Sequence, residues 1–261
     1  MTLYVYPVLY VLLLWWFSTG LILYLNGLPR WTHKWTLIGA SFFLFLGALC
    51  LYASRDDVRI TGAYLGFTGA LLVWAWQEVA FLLGTVTGSR RLPLPAGARG
   101  WRRALYAWRT VWHHEMALLV LGVLVYALTQ GGENLTGWWS FCVLYVMRQS
   151  AKLNLFLGVR NLAESFLPPH LTYLQTYFRR RNMNALMPWS LLLGGLAAAG
   201  LWHLALQQPL EPIDASSRVF VAMLLTLAVL EHAFMVMPMP SDGLWAWGLR
   251  SREAAGREEG G

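Results

Sequence analysis

Seven long apolar runs constrain the fold of this chain more than any other feature of its sequence. They cover residues 4–25, 35–53, 61–86, 112–130, 137–159, 187–206 and 218–238. A helix of about twenty apolar residues crosses the roughly 30 Å hydrocarbon core of a bilayer. Helices are stable there because they satisfy their own backbone hydrogen bonds. The runs therefore predict an all-α, polytopic membrane protein with about seven transmembrane helices.

The low content of charged residues agrees with this prediction. Asp, Glu, Lys and Arg make up 13% of the 261 residues, and the mean hydropathy is +0.47. Soluble domains carry about 25% charged residues. The composition therefore excludes a soluble globular domain, a disordered chain and a nucleic-acid-binding domain.

The basic residues predict the orientation of the chain. Seven spans place the two termini on opposite sides, and fifteen of the twenty Lys and Arg residues lie on the side of the carboxyl terminus. The opposite side has two, Arg55 and Arg59. Because cytoplasmic loops are enriched in Lys and Arg, we expect a periplasmic amino terminus and a cytoplasmic carboxyl terminus.

The domain organisation is simple, since no loop is large enough for a soluble domain. Residues 1–240 are expected to form a single transmembrane domain. Its basic interfacial loops at 87–111 and 160–186 would contact lipid headgroups or dock a partner protein. Residues 241–261 are expected to form a short polar cytoplasmic tail, disordered after Arg250.

Polar and ionisable residues inside the predicted spans are the candidates for a functional site, because such residues are costly in a membrane. Several of them would share one layer about 10–16 Å from the cytoplasmic ends of their spans, at a rise of about 1.5 Å per residue. The candidates are Glu78, His114, Glu115, Arg148, Lys152, Asn154, Glu231 and His232.

Three interpretations of this layer stay open. Arg148 and Lys152 are four residues apart on one helix face and repel each other, so carboxylates must lie opposite them. The layer is then a buried ion-pair network, or a pocket in which these two cations hold the carboxylates of an anionic or amphiphilic ligand. The third interpretation is a metal site, for which the ligands are drawn from Glu78, His114, Glu115, Glu231 and His232.

Six blocks of sequence carry a family resemblance. They are Trp108–Glu115, Gly131–Trp138, Met147–Asn161, Phe166–Leu174, Tyr177–Asn184 and Leu230–Val236. Together they resemble the photosynthetic-complex assembly proteins of the PuhE type, from anoxygenic phototrophic bacteria. The resemblance implies a factor of the bacterial inner (cytoplasmic or intracytoplasmic) membrane that is needed for the assembly of reaction-centre or light-harvesting complexes. Our leading hypothesis is an assembly factor without catalytic activity, and an enzyme is the alternative. The expected partners of such a factor are membrane lipid, reaction-centre or light-harvesting subunits, and other assembly factors.

The resemblance also implies a hypothesis for the charged layer. An assembly factor of this kind could hold a bacteriochlorophyll-type tetrapyrrole or its precursor. His114, His232 or a carboxylate would ligate its magnesium, and Arg148 or Lys152 would pair with a propionate. The alternatives are an intramembrane, metal-dependent enzyme acting on a tetrapyrrole or isoprenoid, and a transporter of pigment or precursor.

Overall fold

The computed structural model describes residues 2–207, 211–238 and 241–258, and within these ranges the chain is helical without β-strands. The eight α-helices are α1 Thr2–Gly27, α2 His33–Ser54, α3 Ile60–Leu82, α4 Gly100–Thr129, α5 Thr136–Leu157, α6 Met187–Leu206, α7 Pro212–Phe234 and α8 Ala246–Glu258. Short 3-10 helices lie at Arg30–Thr32, Glu164–Phe166, Pro169–Tyr177 and Ser241–Trp245. The all-α prediction is confirmed.

Each of the seven predicted spans corresponds to one of the helices α1 to α7. Six of the described helices, namely α1 to α4, α6 and α7, are long and apolar enough to cross a membrane. The remaining one, α5, has 22 residues but carries Arg148 and Lys152. It packs against α3, α4 and α7. The polar helix α5 is thus packed against three other helices of the bundle.

Three helices differ from their predicted spans by four residues or more. The seventh span was expected at 218–238, whereas α7 covers Pro212–Phe234. The fourth span was expected from residue 112, whereas α4 begins at Gly100 and has 30 residues. Residues 100–111 contain no proline and no internal glycine, so nothing interrupts the helix before the apolar run. The third span was expected to reach residue 86, but α3 ends at Leu82 and Gly84 adopts a positive φ of 77°.

Close packing of α3, α5 and α7 forms the core of the bundle. Phe67 on α3 and Phe220 on α7 are fully buried, and their rings stack with centroids 4.7 Å apart. Gly137 on α5 lies against α3, where a Cβ on this residue would come within 2.8 Å of Gly66 O. Small residues at such positions let membrane helices approach closely.

The loops gather at two ends of the bundle. At one end, Asn134 N–H donates to Arg55 O (2.8 Å), which joins the loops 55–59 and 130–135. At the other, which we call the basic end, lie the segments 28–32, 83–99 and 158–186. There Arg90 Nε donates to Tyr177 Oη (3.0 Å) and His170 Nε2 lies 2.9 Å from Leu82 O. Burial lowers the pKa of the His170 imidazole from its ordinary value.

The carboxyl-terminal residues pack along the second half of α1. Trp245 Nε1 donates to Trp16 O (3.0 Å), and Ser251 Oγ donates to Tyr24 O (2.8 Å). This pairing shows that α8 runs in the same direction as α1. The sequence predicted disorder after Arg250, but the helix continues to Glu258. The helix α8 is stabilised by its contacts with α1. The local composition of the sequence does not reveal these contacts.

Candidate functional site

A large cavity lies next to the polar face of α5. It has a volume of about 850 Å³ and is bounded by α1, α3, α4, α5, α7 and the segment 161–178. Most of its lining is apolar. The charged and polar wall discussed below is the part of its lining formed by Glu78, Glu115, Arg148, Gln149, Lys152, Glu231 and His232. Ligand pockets have this volume and this mixture of a broad apolar lining with a few polar groups.

The first ion pair of this wall joins α3 to α5. An Nη of Arg148 lies 3.0 Å from Glu78 Oε2, and Gln77 Nε2 donates to Glu78 Oε1 (3.1 Å). Both side chains remain partly accessible from the cavity, the arginine at 35% and the glutamate at 15%. Glu78 therefore neutralises Arg148, while part of the guanidinium still faces the cavity.

The second ion pair joins α4 to α5 and is more deeply buried. Lys152 Nζ lies 2.6 Å from Glu115 Oε1, and Gln149 Nε2 donates to Glu115 Oε2 (2.9 Å). The Glu115 side chain is 6% exposed. Both of its oxygens thus have partners, as a buried carboxylate requires. The expectation that carboxylates lie opposite Arg148 and Lys152 is met by Glu78 and Glu115.

Glu231 occupies a different environment. It lies near the end of α7, where it is exposed and lines the cavity. Its Oε1 accepts a hydrogen bond from Trp15 Nε1 on α1 (2.6 Å). Among the described residues it has no ion-pair partner. With two neutralised pairs beside it, Glu231 is the carboxylate of this wall that is open to a ligand.

His232 and Asn154 belong to a second polar cluster, where α5, α6 and α7 meet. His232 Nδ1–H donates to Ala228 O (2.8 Å), and its Nε2 lies 2.9 Å from Ser150 Oγ. Asn154 Nδ2 donates to Ser190 Oγ (3.0 Å) and Asn154 Oδ1 accepts from Asn184 (3.0 Å). Both predicted residues therefore form hydrogen bonds within the protein, and the bond from Asn154 to Ser190 links α5 to α6.

His114 lies apart from the cavity wall. It is fully buried on α4, with its ring centroid 4.5 Å from that of Phe81. Neither ring nitrogen has a hydrogen-bond partner among the described residues. The structure also brings no three His, Cys, Asp or Glu side chains of the described ranges into a group that could hold a metal ion. Within the described part of the chain, the residues suggested for a metal site in this layer therefore do not come together in a group of three.

The comparisons with known proteins identify a family. The profile described as "Protein of unknown function (DUF3623)" matches residues 1–256. The chain belongs to the DUF3623 family. A relative from Rhodobacter capsulatus, "Uncharacterized 30.4 kDa protein in puhA 5'region", is 38% identical over 245 residues, which cover 92% of this chain and 88% of the relative. No solved structure matches this DUF3623 protein.

Sequence reasoning missed several residues of the site in this DUF3623 protein. Trp15 was counted only as part of an apolar span, and nothing in its sequence context indicates that it binds Glu231. Arg103 falls in the loop 87–111 that was predicted to be interfacial, yet it is 5% exposed. An Nη of Arg103 donates to the main-chain oxygens of two residues that line the cavity, Phe156 (2.7 Å) and Tyr177. A signal existed for Gln149, because it is a polar residue between two charged ones on α5.

Proposed function

We propose that this protein is an assembly factor for photosynthetic reaction-centre or light-harvesting complexes, and that its cavity holds an amphiphilic ligand of the bacteriochlorophyll type or a precursor. It acts in the bacterial inner membrane, with a periplasmic amino terminus and a cytoplasmic carboxyl terminus. Its partners are subunits of those complexes and other assembly factors.

Three observations support the assembly role. The Rhodobacter capsulatus relative is named for a position in the 5′ region of puhA. The residue blocks described above resemble the assembly proteins of the PuhE type, which carry the same puh designation. Six described helices that are apolar enough to cross a membrane agree with a protein that works on membrane-embedded partners.

The observation that carries the ligand-binding part of the proposal is the cavity itself. A volume of about 850 Å³ lies within the range of roughly 300–1,000 Å³ that is typical of ligand sites. Its apolar lining suits a large hydrophobic body, and the wall formed by α5 and α7 suits one polar centre. An ion-pair network that served only to fix helix positions would need no open volume beside it.

Among the residues of the cavity wall, Glu231 is best placed to bind such a polar centre. Arg148 and Lys152 are neutralised by carboxylates, so the pairing with a propionate that the sequence suggested would compete with Glu78 and Glu115. His232 has partners on both ring nitrogens. Carboxylate oxygen is a preferred ligand of magnesium. The residues present therefore fit a magnesium-bearing pigment through Glu231.

The test is purification of the full-length protein from its phototrophic host in mild detergent. We expect an absorption spectrum of bound pigment, and reaction-centre or light-harvesting subunits in mass spectra of the purified sample. Glu231→Gln should lower the pigment content at least tenfold. The matched control is Glu133→Gln, which neutralises an exposed carboxylate at the opposite end of the bundle.

The two parts of the proposal fail in different ways. Protein that is free of pigment but still carries complex subunits would contradict the ligand and leave the assembly role standing. The assembly role would be contradicted if the purified protein carried pigment but deletion of its gene left the amounts of reaction-centre and light-harvesting complexes unchanged. Equal pigment content in the Glu231→Gln and Glu133→Gln variants would exclude Glu231 as the binding residue.

A further inference from the structure

A second pocket lies at the basic end of the bundle, outside the cavity described above. It has a volume of about 500 Å³ and is lined by Ser89, Arg90, Arg91, Leu92 and Arg109. No Asp or Glu is among these five residues. We propose that this arginine pocket binds the phosphate group of an anionic phospholipid. The proposal does not depend on the assembly role or on the ligand of the cavity.

The backbone brings the three arginines together from two parts of the chain. Arg90 N–H donates to Arg109 O (3.1 Å), and Thr87 O accepts from His114 N–H (2.9 Å). The loop therefore lies directly on α4. A Cβ at Gly88 would come within 2.2 Å of Arg109 O, so this approach requires a glycine. The fold thus holds the backbone on both sides of the pocket in place.

The arginines differ in the hydrogen-bond donors that they leave free. Arg90 is held in place, since its Nε donates to Tyr177 Oη (3.0 Å) and an Nη donates to Pro93 O (2.9 Å). One Nη of Arg91 donates a hydrogen bond to Gly84 O (2.9 Å). The Arg109 side chain has no hydrogen bond or ion pair with the described residues. Arg91 and Arg109 therefore offer open guanidinium groups, and planar guanidinium groups match the oxygens of a phosphate.

The surroundings favour a lipid as the source of the phosphate. Trp108 and Trp112 flank Arg109 on α4; both are exposed, and their ring centroids are 5.4 Å apart. Exposed tryptophans of membrane proteins concentrate at the level of the headgroups. Leu92, 60% exposed, adds an apolar surface to the pocket. Basic pockets between helices on the cytoplasmic side bind anionic headgroups.

The experiment measures lipid binding to the purified full-length protein by native mass spectrometry. The probes are dioctanoyl phosphatidylglycerol, which is anionic, and dioctanoyl phosphatidylcholine, which is zwitterionic. The double variant Arg91→Gln, Arg109→Gln is compared with Arg99→Gln, Arg102→Gln. The control removes the same charge from exposed arginines of the same end, outside the pocket.

We expect the pocket variant to bind phosphatidylglycerol about thirtyfold more weakly, the change that two basic residues near a lipid headgroup produce. The control variant should change the affinity by less than threefold. Size-exclusion profiles must match the unmodified protein, which is expected because the replaced side chains are exposed.

Three outcomes would overturn the proposal. Equal weakening in the two double variants would show that the charge of the whole basic end, rather than this pocket, attracts the lipid. Equal affinity for phosphatidylcholine would remove the requirement for an anionic headgroup. Displacement of phosphatidylglycerol by an equal concentration of inorganic phosphate would identify free phosphate, instead of a lipid, as the ligand.

Discussion

Breaking the buried pair of Glu115 and Lys152 should destabilise the protein far more than removing both partners. The two groups are 2.6 Å apart, and their side chains are 6% and 23% exposed. Lys152→Met leaves the Glu115 carboxylate buried with Gln149 as its remaining partner. An uncompensated buried charge costs about 3–5 kcal/mol. We therefore expect a loss of this size in the free energy of unfolding for Lys152→Met, and similarly for Glu115→Leu.

The double variant Lys152→Met, Glu115→Leu should lose only about 1 kcal/mol, because replacing a buried ion pair by apolar residues is close to neutral. The assay is equilibrium unfolding of the four proteins in mixed detergent micelles, from which a double-mutant cycle gives the coupling energy. The matched control is the exposed pair of Arg180 and Glu164. An Nη of Arg180 lies 3.0 Å from Glu164 Oε2, and the two side chains are 67% and 42% exposed. Its coupling should stay below about 1 kcal/mol.

A coupling energy for the buried pair no larger than that of the exposed pair would refute this reasoning. The cycle also separates structure from function. If the double variant regains the abundance of the unmodified protein but not the proposed activity, which is to restore photosynthetic complexes in a deletion strain, the pair contributes to the site itself. If both return, its role is confined to holding α4 and α5 in position.

Two further predictions concern helix contacts and pH. Gly137→Val should lower the free energy of unfolding by about 1–3 kcal/mol through overpacking, because a Cβ at this position would lie 2.2 Å from Leu51 Cδ2. The control in the same unfolding assay is Gly195→Ala, since a Cβ at Gly195 meets no atom within 4 Å. The hydrogen bonds from Arg59 lower the pKa of Asp57 to about 2. Because the pKa is lower in the folded state, this carboxylate stabilises the protein above pH 4, and the stabilisation is lost as the pH falls towards 2. The difference in melting temperature between the unmodified protein and Asp57→Asn should therefore shrink over that range, and a difference that grows would contradict the assignment.

The sequence was sufficient to predict the helices and the candidate polar layer, but not how that layer is divided. Depth along a helix follows from counting residues, so Glu78, Glu115 and Glu231 could all be assigned to one level. Which of them faces Arg148, Lys152 or Trp15 depends on the rotation of each helix about its axis. That rotation is set by contacts between distant parts of the chain, such as the approach of α5 to α3.

The sequence by itself determined that this chain is a helical membrane protein, because long apolar runs can satisfy their backbone hydrogen bonds in lipid only within the runs themselves. The charged residues Arg148 and Lys152 within the span 137–159 also marked α5 as the polar helix. The tertiary structure decided the rest. It paired two carboxylates with the two cations, left Glu231 open to the cavity, and isolated His114 in the core. It also placed α8 along α1 and brought together the residues of the arginine pocket. Each of these features joins residues that are far apart in the chain, so its energy depends on packing between elements and cannot be read from any one segment.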